Sequence, residues 1–130
     1  MYGNSAAQSY QAVQVGTASP EYLVLTLYQG VITAIDRAEQ AIASRRVAEA
    51  HEQLVKAQRL VSELMGSLDL EQGEVAHNLM GLYVFFNREL AQANLKKEGG
   101  LLPVIKRMLQ ELLEAWQSAL VSITTAQAAV

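Results

Sequence analysis

Thr17-Ala18-Ser19-Pro20-Glu21 opens a stretch in which Val24, Leu27, Tyr28, Val31, Ile35, Ala38 and Ile42 recur at intervals of three and four. Ser19 can accept from the free amides of a first helical turn, Pro20 suits the first helical position, and Glu21 complements the helix dipole. The spacing therefore predicts an amphipathic helix of about six turns with one continuous apolar face. Ser44-Arg45-Arg46 interrupts that face, and a second, near-heptad stripe follows at Val47, Ala50, Leu54, Ala57, Val61, Leu64 and Leu68. Asp69-Leu70-Glu71-Gln72-Gly73 has the composition of a connection. A third stripe occupies Val75, Leu79, Leu82, Phe86, Leu90 and Ala93 and runs to about Leu95. Gly99-Gly100 breaks the chain, and beyond Pro103 the pattern Leu102, Ile105, Leu109, Leu112, Trp116, Leu120, Ile123 makes a fourth.

Four helices with short connections imply an all-α, antiparallel up-down four-helix bundle in which sequential helices are neighbours. The bundle is expected over residues 19–125, with 126–130 as a tail. Residues 1–18 form a separate segment: no charged side chain occurs from Met1 to Pro20, yet Tyr2, Tyr10, Val13 and Val15 do. An uncharged stretch of this kind has little reason to stay in water, which makes it a candidate cap over an apolar surface.

Composition removes several functions. With 51% hydrophobic and 18% charged residues the chain of 130 has enough apolar content to fold as one domain. The absence of cysteine excludes disulfides, thiolate catalysis and cysteine-held metals. Neither a signal-peptide pattern nor an apolar run of membrane-spanning length is present, so a cytoplasmic location without membrane insertion is expected. A net charge of −3 with interspersed signs offers no basic stripe for nucleic acid.

Catalytic and metal chemistry find no support. Glu74-Val75-Ala76-His77 has the Glu-x-x-His spacing of a di-iron bundle, but such a site needs two copies plus two further glutamates pointing inward. At about 100° per residue His77 falls opposite the helix 3 stripe, which makes it a solvated first-turn residue. His51 sits at the edge of its stripe with no facing partner histidine or methionine. No serine elbow or phosphate loop occurs, and the pairs Glu49/Glu52 and Glu111/Glu114 lie with basic neighbours on solvated faces. No catalytic residue, metal ligand or cofactor is therefore assigned, and the chain reads as a binding protein rather than an enzyme.

The informative departure is Leu79-Met80-Gly81-Leu82-Tyr83-Val84-Phe85-Phe86, which is apolar around nearly its whole circumference where a bundle helix needs only one apolar side. Val84 points almost directly away from the core stripe, with Phe85 and Met80 on opposite flanks. Part of this belt should stay accessible once the bundle closes, for a partner or for a second copy of the chain.

These residues resemble a known family along nearly the whole chain. Thr17-Ala18-Ser19-Pro20, Leu27-Tyr28-Gln29-Gly30, Lys56-Ala57 leading to Leu64 and Leu68-Asp69, Glu74-Val75-Ala76-His77-Asn78-Leu79, Leu82-Tyr83, Arg88, Leu90, Ala93-Asn94-Leu95 and Trp116 are similar to the FliS family of flagellin-specific export chaperones. The resemblance implies a chaperone that binds the disordered C-terminal region of flagellin, prevents premature polymerisation and delivers it to the flagellar type III export apparatus and its gate components. The exposed part of the helix 3 belt is then expected to supply Leu82, Tyr83 and Phe85 as apolar anchors, with Leu64 and Leu68 as further contacts, and the resemblance places Asn78 and Arg88 as polar positioners. Tyr10, Val13 and Val15 would belong to an N-terminal segment that covers the groove until the client displaces it. A self-associating structural or adaptor bundle, forming a homodimer through the helix 3 belt, is the alternative, and a ligand-binding bundle is the third reading.

Overall fold

The computed structural model describes residues 20–129, with side chains described as far as Ser122. The predicted start at Ser19 and the cap segment lie outside the described residues. Four helices follow in order: α1 (Pro20–Ala43), α2 (Val47–Gly66), α3 (Glu74–Lys96) and α4 (Leu102–Ala129), with a short 3-10 turn at Leu70–Gln72 between α2 and α3. The four-helix bundle expected from the stripes is the observed fold. Residues 126–129, set apart as a tail, continue α4.

Local chemistry accounts for each break. At the end of α1 the amide of Arg46 donates to Ala41 O (2.8 Å) and that of Arg45 to Ile42 O (3.1 Å), with Arg45 at φ 58°. This pairing closes off the last carbonyls around a left-handed residue. Lys97, at φ 54°, ends α3 in the same way, with the amide of Glu98 donating to Ala93 O. Asp69 caps the 3-10 turn by accepting from the amide of Glu71 at 3.0 Å. Gly73, at φ 106° and ψ −155°, makes the entry to α3 in a conformation that only glycine adopts without strain.

Cross-helix contacts fix the directions. Lys106 on α4 bonds Asp36 and Glu39 on α1, each at 2.7 Å, while Trp116 reaches Tyr28, so α1 and α4 are antiparallel. Asn94 meets His51 and Asn87 meets Ser62, so α2 and α3 are antiparallel as well. Tyr28 meets Tyr83 across the diagonal from α1 to α3. The core is almost wholly aliphatic and aromatic, centred on Tyr28, Val31, Ile35, Leu54, Val61, Leu64, Tyr83, Phe86, Leu90, Leu102, Ile105 and Leu109. Each large side chain buried here contributes about 1.5 to 3 kcal/mol.

Two expectations about packing are corrected. Val47 and Val75 were placed on core stripes but are 58% and 70% exposed, both in the first turn of a helix at an end of the bundle. Ala76 and Tyr83 take the inward positions on α3 instead. Sequential helices are also not all close neighbours: α1 packs closely on α2 and α4, and α2 on α3, but the backbones of α3 and α4 approach at few places.

Candidate functional site

Helical geometry shows what lies along that loose seam. On α3 the flank toward α2 carries Asn87 and Asn94, which bond Ser62 and His51. At about 100° per residue the opposite flank, facing α4, carries Asn78, Leu82, Phe85 and Glu89. On α4 the flank toward α1 carries Lys106. Its opposite flank, toward α3, carries Met108, Leu112, Ala115 and Ala119. Leu82, Phe85, Met108 and Leu112 are half-buried against the core, so the seam is an apolar strip whose floor is the bundle interior. Phe85 leans on Phe86 with ring centroids 6.0 Å apart, leaving part of its own ring uncovered.

At one end the seam opens into a recess of about 240 Å³. Val24, Leu68, Val75, Leu79, Tyr83 and Trp116 line it, with Asp69 and Gln72 at its edge. Beneath it lies a polar node in an otherwise apolar core. The Tyr28 and Tyr83 hydroxyls are 2.5 Å apart, their rings meet edge to face, and Trp116 Nε1 donates to the Tyr28 hydroxyl at 3.2 Å. Burial pushes both phenols above their ordinary value of 10.0. Three hydrogens enter the node and two bonds are made, so one hydroxyl hydrogen has no acceptor among the described residues. The node joins α1, α3 and α4 where α3 and α4 hardly touch.

The residues singled out from sequence divide accordingly. Leu68 lines the recess, Leu82 and Phe85 border the seam, Asn78 is exposed beside them, and Arg88 is exposed further along α3. Leu64 and Tyr83 require correction as direct contacts: they are 0% and 1% exposed. Leu64 continues the inward row of Leu54, Ala57 and Val61, and Tyr83 occupies the inward position that periodicity gave to Leu82. Tyr10, Val13 and Val15 lie outside the described residues. Val24, Leu79 and Trp116 at the recess were read as core, and nothing in a stripe pattern shows that a stripe's last member meets an open end. His77 is exposed and its Nδ1–H donates within its own turn, to Gly73 O; His51 pairs with Asn94, whose amide oxygen is held by Lys97. Among the described residues no group of three His, Cys, Asp or Glu side chains could hold a metal, and no helix is long and apolar enough to cross a membrane.

The described residues thus define an all-helical bundle with an apolar strip between two of its helices and a recess at one end. Residues 2–122 match the family described as flagellar protein FliS. The chain belongs to the FliS family. It is 33% identical to the flagellar secretion chaperone FliS of Bacillus subtilis (strain 168) over 114 residues, covering 88% of this chain and 85% of that one. It is also 33% identical to the FliS of Campylobacter jejuni over 128 residues, covering 98% and 100%. A solved bacterial flagellar chaperone superposes with a TM-score of 0.76 at 21% identity, over 90% of this chain and 98% of that one, and so shares the fold.

Proposed function

We propose that this chain is a cytoplasmic chaperone of flagellin that holds the client's disordered C-terminal region along the α3–α4 seam and the recess. Bound there, the segment cannot enter a filament, and the complex can be presented to the export gate. The observation that carries this reading is the apolar strip from Leu68 and Leu79 through Leu82 and Phe85, only half-buried where the α3 and α4 backbones make few close approaches. A disordered client that folds onto such a strip gains apolar burial and loses ordering entropy, which allows specific binding with release. In this reading Leu68, Leu82 and Phe85 are apolar contacts, Asn78 and Arg88 position the client, and Tyr83 and Leu64 support the strip from beneath. The uncharged N-terminal segment with Tyr10, Val13 and Val15 acts as an internal competitor for the same surface. The chain is a binding protein, not an enzyme, and requires no cofactor.

Co-purification with a flagellin C-terminal fragment, against the same flagellin lacking that region, tests the proposal. Binding should require the fragment, and Phe85→Ala should weaken it by about 1 to 3 kcal/mol while leaving the helical content unchanged. Equal capture of both flagellins would refute the reading. A doubled mass in solution without client would favour the homodimer instead.

A further inference from the structure

The charge of the bundle is divided along its length. In the half that holds the recess, the described charged side chains are Glu21, Arg59, Glu63, Asp69, Glu71, Glu74 and Glu114: six carboxylates against one cation. All six carboxylate residues are exposed. The other half carries nine Lys and Arg side chains against seven carboxylates, and several of these are paired: Arg46 with Glu49, and Lys106 with Asp36 and Glu39. The recess is therefore an apolar pit at the acidic end of the bundle, with Asp69 at its edge, while the seam leading from it runs toward a half with a small excess of cations.

We infer that the recess end selects apolar helical segments flanked by lysine or arginine, and that this electrostatic choice distinguishes a client from the uncharged N-terminal stretch of the chain itself. The inference rests on the proposed function and names the class of segment that its site prefers. Apolar burial alone would not discriminate, because residues 1–19 offer Tyr10, Val13 and Val15 with no side-chain charge. A cationic flank gains from the excess of carboxylates at this end of the bundle, and an uncharged one does not. Such complementarity acts mainly on encounter and on rejection of wrong partners, and salt weakens it.

The test uses the full chain and three synthetic amphipathic peptides with one apolar stripe and Lys, Gln or Glu flanks, measured by calorimetry. At about 0.1 M salt the Lys peptide should bind about tenfold more tightly than the Glu peptide, with the Gln peptide between them. At about 1 M salt, where the Debye length is about 3 Å, the ratio should fall to within about twofold. Combining Glu63→Gln, Glu74→Gln and Glu114→Gln should collapse the ratio at low salt, and combining Glu49→Gln, Glu52→Gln and Glu98→Gln at the other half, away from the seam, should not. Asp69 is left intact because it caps the 3-10 turn. Equal affinity for all three peptides, equal effects of the two triple variants, no peptide binding, or a doubled mass showing a second copy in the recess would each overturn the inference. A flagellin C-terminal fragment measured in parallel separates the two readings. Fragment binding without peptide discrimination removes only the charge selection; peptide discrimination without fragment binding removes flagellin as the client.

Discussion

Removing the Tyr28 hydroxyl should cost more than removing its partner's, and removing both should cost no more than removing Tyr28's alone. In the intact protein Trp116 Nε1 donates to Tyr28, and the two hydroxyls share one hydrogen bond at 2.5 Å. Tyr83→Phe deletes one bond and leaves Trp116 paired, a loss of about 1 kcal/mol for a buried neutral bond. Tyr28→Phe deletes both bonds and strands two donors, the indole N–H and the Tyr83 O–H, for about 2 to 3 kcal/mol. In the double variant the stranded Tyr83 donor is gone and two apolar rings pack where hydroxyls met. Its cost should match or fall below that of Tyr28→Phe, giving a coupling of about −1 kcal/mol. Urea unfolding followed by far-ultraviolet circular dichroism and by Trp116 fluorescence reads the three midpoints, and in a thermal melt Tyr83→Phe should lower Tm by about 4 °C. Costs that simply add to within about 0.5 kcal/mol would show that the hydroxyls are not coupled and that the node does not tie α3 to α1 and α4.

Other variants test separate parts of the structure. Phe86→Ala, with its ring fully buried, should destabilise by about 3 to 5 kcal/mol in the same denaturation assay, whereas the adjoining Phe85→Ala should cost far less. Gly73→Ala should cost about 1 to 3 kcal/mol through its backbone at φ 106°, since nothing within 4 Å would obstruct the new methyl. Arg45→Gly should instead stabilise the fold by about 1 kcal/mol, read as a higher urea midpoint, because glycine reaches φ 58° without the steric penalty. Alkaline pH should destabilise the fold. Tyr28 and Tyr83 are raised by burial above 10.0, and Lys106 above 10.5 by its bonds to Asp36 and Glu39. Groups raised on folding contribute stability that is complete below their unfolded values and is lost as pH climbs through the folded ones. Urea midpoints measured from about pH 8 to 11 should decline above about pH 10, and less steeply for the Tyr28→Phe, Tyr83→Phe double variant; an unchanged slope would contradict the buried node.

Much of the architecture follows from the order of residues, because helix periodicity and chain breaks are local properties. Val24 through Ile42 specify a helix by spacing, Gly99-Gly100 and Ser44-Arg45-Arg46 end helices by what their backbones can adopt, and the absence of cysteine needs no fold to be read. The surplus apolar surface of Leu79 through Phe86 was also legible, since one side of a helix in a bundle cannot absorb it. What that surface faces was not. Tyr83 and Leu82 are adjacent and both apolar enough for a core, and only the packing angle of α3 against α1 turns Tyr83 inward to Tyr28 and leaves Leu82 on the seam. The opening between α3 and α4, the recess beneath Trp116 and the gathering of six carboxylates at one end are products of tertiary structure. They depend on which helices lie side by side and at what level, and those distances join residues such as 28, 83 and 116 that no local pattern relates.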